Sequence, residues 1–127
     1  MPCASVYDLD TGKSFPLPVY GEVAHPTHSI ADDGSLLVGG SSELRLYAPD
    51  GSGPLGIPVP GKYRSAAITR DGRKVLLLTD TTLFEIDRAT LARREIYSSP
   101  DGTLREFTPS AQGERVLLLS GTDVFLL

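Results

Sequence analysis

Apolar residues along this chain come in runs of four or five, each closed by a short polar turn, and the runs recur in a fixed phrase. "DDGSLLVGGSSELRLYAPDG" (Asp32 to Gly51) and "RDGRKVLLLTDTTLFEIDRATL" (Arg70 to Leu91) read almost alike, and "AQGERVLLLSGTDVFLL" (Ala111 to Leu127) says it again. The turn glycines Gly34, Gly72 and Gly113 are 38 and 41 residues apart. The apolar residues that reopen a strand, Val6, Leu44, Leu83 and Val124, follow at steps of 38, 39 and 41. A period near 40 is the signature of a repeat architecture.

The middle repeat predicts four strands. "SAAIT" (65–69) is a short apolar run closed by the turn Arg70-Asp71-Gly72-Arg73, and "KVLLL" (74–78) follows. After the polar turn 79–82, "LFEID" (83–87) alternates apolar and polar, as a half-buried strand does. "REIYS" (94–98) is more polar and suits an exposed edge. Strands of about five residues joined by short turns make an antiparallel meander. The second strand is almost wholly apolar, which predicts that both faces of its sheet are covered. Gly, Pro and β-branched residues interrupt nearly every helical window, leaving 88–94 as the single stretch where a helix is possible.

On these residues the chain resembles the bacterial WD-like and YVTN-like superfamily of β-propeller repeats. The turn between the first two strands stands in "SIADDGSLLVGG", "AAITRDGRKVLLL" and "FTPSAQGERVLLL", and the third strand in "VYDLDTGK" and "LFEIDRAT". The Gly-His and Trp-Asp dipeptides of true WD repeats are missing, and Trp is absent. The resemblance implies an all-β fold built of four-stranded propeller blades.

The 127 residues are expected to form one partial propeller, with repeats at about 1–24, 25–62, 63–103 and 104–127. Lettering the strands of a blade a to d, the chain supplies c and d, then two full blades, then a, b and c. That is thirteen strands, about three blades, where a propeller takes four to eight. The end blades should therefore expose apolar faces, which disfavours a free monomer. Two copies closing a six-bladed ring, with the N-terminal strand of one completing the last blade of the other, a longer propeller, or a complementary chain would each resolve this. Val6–Asp10 and Val124–Leu127 occupy the same strand position, so one is surplus in the simplest self-closed ring.

Composition excludes several partner classes. A net charge of −4, a pI near 5.0 and no basic run give no footprint for nucleic acid. Apolar runs of four residues are too short to cross a bilayer as a helix, so no membrane partner is expected. The start "MPCASVYDLD" does not read as a signal peptide, and Cys3, the single cysteine, makes no internal disulfide. A cytoplasmic chain fits both facts, as does a fragment whose signal has been cut away.

Candidate chemistry is sparse. His25 and His28 with Asp32 or Asp33 have donor types suited to a divalent metal. Their repeat partners, Tyr63 and Ala66, Leu104 and Phe107, are mostly apolar or aromatic, so the histidines read as loop and strand-entry residues. Gly39-Gly40 lacks the following helix and Lys of a phosphate loop and reads as a hairpin turn aligned with Thr79-Asp80 and Ser120-Gly121. Asp32, Asp33, Asp71 and Asp101 lack the dense run of a calcium loop and suit turns. No nucleophile elbow occurs. No catalytic residue, metal site or cofactor is therefore expected. The residues before each first strand are the partner-binding candidates: His25, His28, Tyr63, Arg64 and Arg105. Tyr and Arg bring large contact area and forked hydrogen bonding. The function expected is a non-catalytic interaction or scaffold module. The alternatives are part of an enzyme or ligand-binding propeller completed by another chain, or an engineered propeller fragment.

Overall fold

The computed structural model describes residues 3–7, 9–18, 27–39, 43–99, 104–110, 114–121 and 123–127. Among them are thirteen strands in four antiparallel sheets and no helix. The first sheet pairs β1 (Cys3–Tyr7) with β2 (Ser14–Pro18). The second is β3 (Thr27–Ile30), β4 (Leu36–Gly39), β5 (Leu44–Tyr47) and β6 (Leu55–Gly56). The third is β7 (Ser65–Ile68), β8 (Lys74–Leu78), β9 (Thr82–Asp87) and β10 (Arg93–Ser98). The fourth is β11 (Leu104–Pro109), β12 (Val116–Ser120) and β13 (Asp123–Leu126). Each sheet is a simple meander with neighbours in chain order. Sheets of two, four, four and three strands are the c–d, a–d, a–d, a–c arrangement that the repeats predict.

Pairing sets which residues correspond. His28 faces Val38, Ala66 faces Leu77 and Phe107 faces Leu118 across the first two strands of their sheets. Gly39 faces Leu44, Leu78 faces Leu83 and Leu119 faces Val124 across the next two. Since side chains alternate along a strand, these pairs also define two faces for each sheet.

The two faces build two cores. Leu37, Leu44 and Leu46 of the second sheet pack with Ala66, Ile68, Val75, Leu77 and Ile86 of the third. The opposite face of the third sheet, Leu76, Leu78 and Leu83, packs with Leu104, Val116 and Leu118 of the fourth. All of β8 beyond Lys74 is buried, as the continuous apolar run requires. Strand β12, by contrast, alternates between buried and partly exposed, because only one of its faces meets another sheet among the described residues. The rim strands β6 and β10 are largely exposed.

Polar ties pin the second sheet to the third. The Ile68 amide donates to Ser29 Oγ (3.1 Å), and the Asp32 amide donates to the Arg70 carbonyl (2.8 Å). Arg70 and Arg88 extend to the carboxylates of Asp32 and Asp33. Between the third and fourth sheets the Leu104 amide donates to the Asp80 carbonyl (3.1 Å).

The stretch 88–94 is not helical. Asp87 Oδ1 accepts from the amides of Ala89 (2.9 Å) and Thr90 (3.0 Å), and the Leu91 amide donates to the Asp87 carbonyl (2.7 Å). Leu91 then takes a left-handed φ of 61° and turns the chain into β10. These are the bonds of a helix cap and one helical turn, and the left-handed Leu91 stops the turn there, after which Arg93 pairs with Ile86.

Leu77 is fully buried in the first core, so Leu77→Ala is expected to lower unfolding free energy by about 2–5 kcal/mol. Glu95→Ala on the exposed β10 should stay within about 0.5 kcal/mol of wild type. Urea unfolding of the two variants side by side measures both.

Candidate functional site

One end of the sheets carries Tyr63 and Arg64, which precede β7 as the sequence suggested, and Arg105 and His28, which the structure places inside β11 and β3 as their second residues. The Arg64 amide donates to the Leu78 carbonyl (2.7 Å), and its guanidinium pairs with Asp80 in the turn between β8 and β9. Arg105 holds the matching place in the fourth sheet, where its Nη1 donates to the Gly121 carbonyl (3.4 Å) in the turn between β12 and β13. Both arginines are exposed, so each brackets a turn at the surface. Glu43 and Arg45 pair at the same end of the second sheet (2.9 Å).

Tyr63 is turned inward. Its ring packs on the core between the second and third sheets, and its hydroxyl donates to the Glu43 carbonyl (2.8 Å). Gly39 makes this possible: a Cβ there would collide with the Glu43 carbonyl and the Tyr63 hydroxyl. Gly39 ends β4 and corresponds to Leu78 and Leu119, one residue from the alignment with Thr79 and Ser120 expected from sequence. A shift of one residue changes the face of the sheet. The glycine is therefore a missing core side chain whose space the neighbouring tyrosine fills. His28 lies exposed on β3 opposite Val38, and His25 lies outside the described residues. Tyr63, Arg64 and Arg105 thus share one end of the molecule, with His28 at the start of its sheet on the same side.

The other end is formed by the Asp-Gly turns. Asp33 accepts from the Ser35 amide (2.8 Å), Asp50 from Ser52 (2.9 Å) and Asp71 from Arg73 (3.0 Å). Each carboxylate is held below its ordinary pKa by these donors. For Asp33 the Ser35 amide dominates; for Asp71 the Thr69 hydroxyl at 2.6 Å comes first and the Arg73 amide second. Ser52 does the same for Asp50, through its hydroxyl and then its amide, and the Thr90 and Ala89 amides do so for Asp87. Gly72 follows Asp71 with a φ of 76°, and a Cβ there would press on Arg88 and Asp33 at 3.2 Å. Beside this turn an open cleft of about 550 Å³ is lined by Leu55, Asp71, Gly72, Arg73, Asp87, Arg88 and Ala89.

The most distinctive surface is neither end but a sheet face that residue-by-residue reading of the sequence passed over. Leu117 lies opposite Leu126, and Leu119 opposite Val124, so the four share one face of the fourth sheet. In the third sheet the corresponding Leu76, Leu78 and Leu83 are 1%, 0% and 0% exposed, covered by the sheet that follows. In the fourth, Leu117, Val124 and Leu126 are 40%, 60% and 57% exposed. The repeat alignment carried this signal for Leu117, which matches Leu37 and Leu76, and for Val124, which matches Leu44 and Leu83; Leu126 matches Leu46 in the second sheet but Glu85 in the third.

Two outcomes follow at these positions. Gly39→Ala should destabilise the protein by about 1–3 kcal/mol, since the obstructing group is backbone, and thermal or urea unfolding reads it. Acid should act through the turn aspartates. Their depressed folded-state values mean that the stability they contribute is present above the unfolded pKa of about 3.9 and is lost as pH falls through the lower folded value. Asp71→Asn, which keeps an acceptor oxygen, is expected to flatten the fall in urea midpoint below about pH 4.

No protein-family model matches the sequence, and no characterised protein matches it by sequence. Solved structures do match. The β-propeller domain of Cps50 (Swd1) from Myceliophteria thermophila superposes with a TM-score of 0.72 at 14% identity, over 95% of this chain and 44% of that one. Hydrazine synthase from Kuenenia stuttgartiensis superposes with a TM-score of 0.61 at 16% identity, over 98% of this chain and 43% of that one. At such identities the likeness is one of fold. This chain spans less than half the length of either match. It is a run of β-propeller blades, two complete and two partial among the described residues.

Proposed function

We propose that this chain is a non-catalytic β-propeller module whose role is protein–protein assembly, and that it docks through the uncovered face of the β11–β13 sheet. One observation carries the reading: Leu117, Val124 and Leu126 stand exposed at repeat positions that are core elsewhere in the molecule. Burying a single such side chain is worth about 1.5–3 kcal/mol, so a contiguous face of them is a strong drive to association. The polar residues fit the same reading. Arg64 and Arg105 bracket turns, and Asp33, Asp50, Asp71 and Asp87 cap them. These groups serve the scaffold. Arg105, exposed on the fourth sheet itself, is the polar residue of this set that a partner docked on that sheet would meet, while Arg64 and His28 are exposed on the sheets behind it. No helix among the described residues is long and apolar enough to cross a membrane, and the setting we propose is the cytoplasm.

A second reading has its own support. The cleft beside Gly72 sets Arg73 and Arg88 against Asp71 and Asp87 with Leu55 as an apolar wall, a mixed lining suited to a small polar ligand. On that reading the chain contributes one wall of a ligand-binding or enzymatic propeller completed by another chain.

Immobilised chain, wild type and the pair Leu117→Asp/Leu126→Asp, exposed to an extract of the source cells and to labelled copies of the chain itself, separates the two. The expected result is a protein retained by the wild type and lost from the variant. Equal retention by both, or none by either, overturns the assembly reading and favours the cleft.

A further inference from the structure

The cleft beside Gly72 is built by the two sheets that hold all four strands, with Leu55 contributed by the second sheet and the rest of its lining by two turns of the third. Two guanidinium-bearing residues meet there. Lys74 pairs with Asp87 across β8 and β9, and one step beyond them the Arg88 amide donates to the Arg73 carbonyl (3.0 Å), so Arg73 and Arg88 stand opposite each other. Like charges set directly across a ladder repel. Arg88 is committed to the fold: its Nη1 donates to the Gly72 carbonyl (3.0 Å) and pairs with Asp33 (3.7 Å). Arg73 is exposed, and its guanidinium makes no hydrogen bond or salt bridge among the described residues; its charge reaches Asp71 without direct contact.

The carboxylates of the cleft are fixed by their turns. Asp71 gives Oδ1 to the Thr69 hydroxyl (2.6 Å) and the Arg73 amide (3.0 Å), and Asp87 gives Oδ1 to the Ala89 (2.9 Å) and Thr90 (3.0 Å) amides. These donors hold both groups below the usual carboxylate range, the Thr69 hydroxyl first at Asp71 and the Thr90 amide first at Asp87, so both are charged at neutral pH. Oδ2 of Asp71 accepts no hydrogen bond among the described residues. The lining therefore carries two arginines, two aspartates and an apolar wall at Leu55. A simple anion meets the aspartates there and a simple cation meets the arginines, whereas a ligand bearing both signs complements both.

Resting on the cleft reading above, we propose that the ligand is a small zwitterion of the α-amino-acid type with an apolar side group. Its carboxylate takes the forked donors of Arg73, its ammonium lies against Asp71 and Asp87, and its side group covers Leu55. A cleft of about 550 Å³ has room for a free amino acid or a short peptide. None of its lining residues belongs to the β11–β13 sheet, so the site is separate from the face on which the assembly reading rests.

The test is a titration of the isotope-labelled chain, following the amide signals of Gly72, Arg73 and Ala89 by NMR. The probes are L-leucine, glycine, N-acetyl-leucine, leucinamide and inorganic phosphate. Leucine should shift these signals saturably, and the two blocked forms should bind about tenfold more weakly, each having lost one charge-assisted contact. Arg73→Ala should weaken leucine by about the same factor and abolish its advantage over leucinamide, with an unchanged urea midpoint. Arg73→Gln, which keeps the side-chain stem, replaces it if the midpoint falls. Leu55→Ala should weaken leucine and leave glycine as it was. Leucine binding no tighter than its blocked forms, leucine binding indifferent to Arg73, or no response to any probe overturns the inference. Phosphate or a blocked form shifting the same signals where leucine does not overturns the zwitterion and leaves the cleft reading standing. Shifts confined to amides away from the cleft overturn both.

Discussion

Everything in this molecule depends on one kind of contact, the packing of one twisted sheet face on the next. A meander of four five-residue strands has two faces and too little of its own to bury. Leu76, Leu78 and Leu83 are dry because Leu104, Val116 and Leu118 lie over them, and Val75, Leu77 and Ile86 because Leu37, Leu44 and Leu46 do. Stability therefore belongs to the seams between sheets. A sheet at the end of the row satisfies one seam only, and its other face becomes a surface whose chemistry was selected for burial.

The polar residues are arranged around that constraint. Seams hold only if successive sheets keep one register, and the short turns enforce it. Asp33, Asp50, Asp71 and Asp87 each accept backbone amides two or three residues ahead, which shapes the turns without help from outside the hairpin. Arg70 and Arg88 then tie one sheet's turns to the carboxylates of the preceding sheet. These ion pairs are exposed and weak singly, and they serve alignment more than energy. At the opposite end Tyr63 reaches the Glu43 carbonyl through the space that Gly39 leaves open, so even the aromatic residue best suited to a binding surface is engaged in holding two sheets together.

The assembly reading proposed above rests on the same constraint. The exposed leucines and valine of β12 and β13 stand at repeat positions that are buried in another sheet of the molecule, where a neighbouring sheet covers them. The enzymes and scaffolds that share the fold differ in what they place on this frame.

Much of the architecture was legible without coordinates. The period near 40, the Asp-Gly turns and the alternation in "LFEID" determine strands, meanders and their grouping as two, four, four and three, because those signals are local: turn chemistry and side-chain alternation act within a hairpin. The correspondence of His28 with Ala66 and Phe107 was legible for the same reason. Three things were not. The turn that Asp87 caps stops after one helical hydrogen bond at the left-handed Leu91, because Arg93 pairs with Ile86 of the neighbouring strand, a partner outside the local window. Gly39 looked like a turn and proved to be the end of a strand, since its role is defined by a tyrosine 24 residues away. And a leucine at position 118 or at 117 is the same letter in the same run, yet one is core and the other surface. Sequence alone determined that each sheet has two apolar faces; only tertiary structure decided which were covered, because covering depends on a second sheet arriving from elsewhere in the chain.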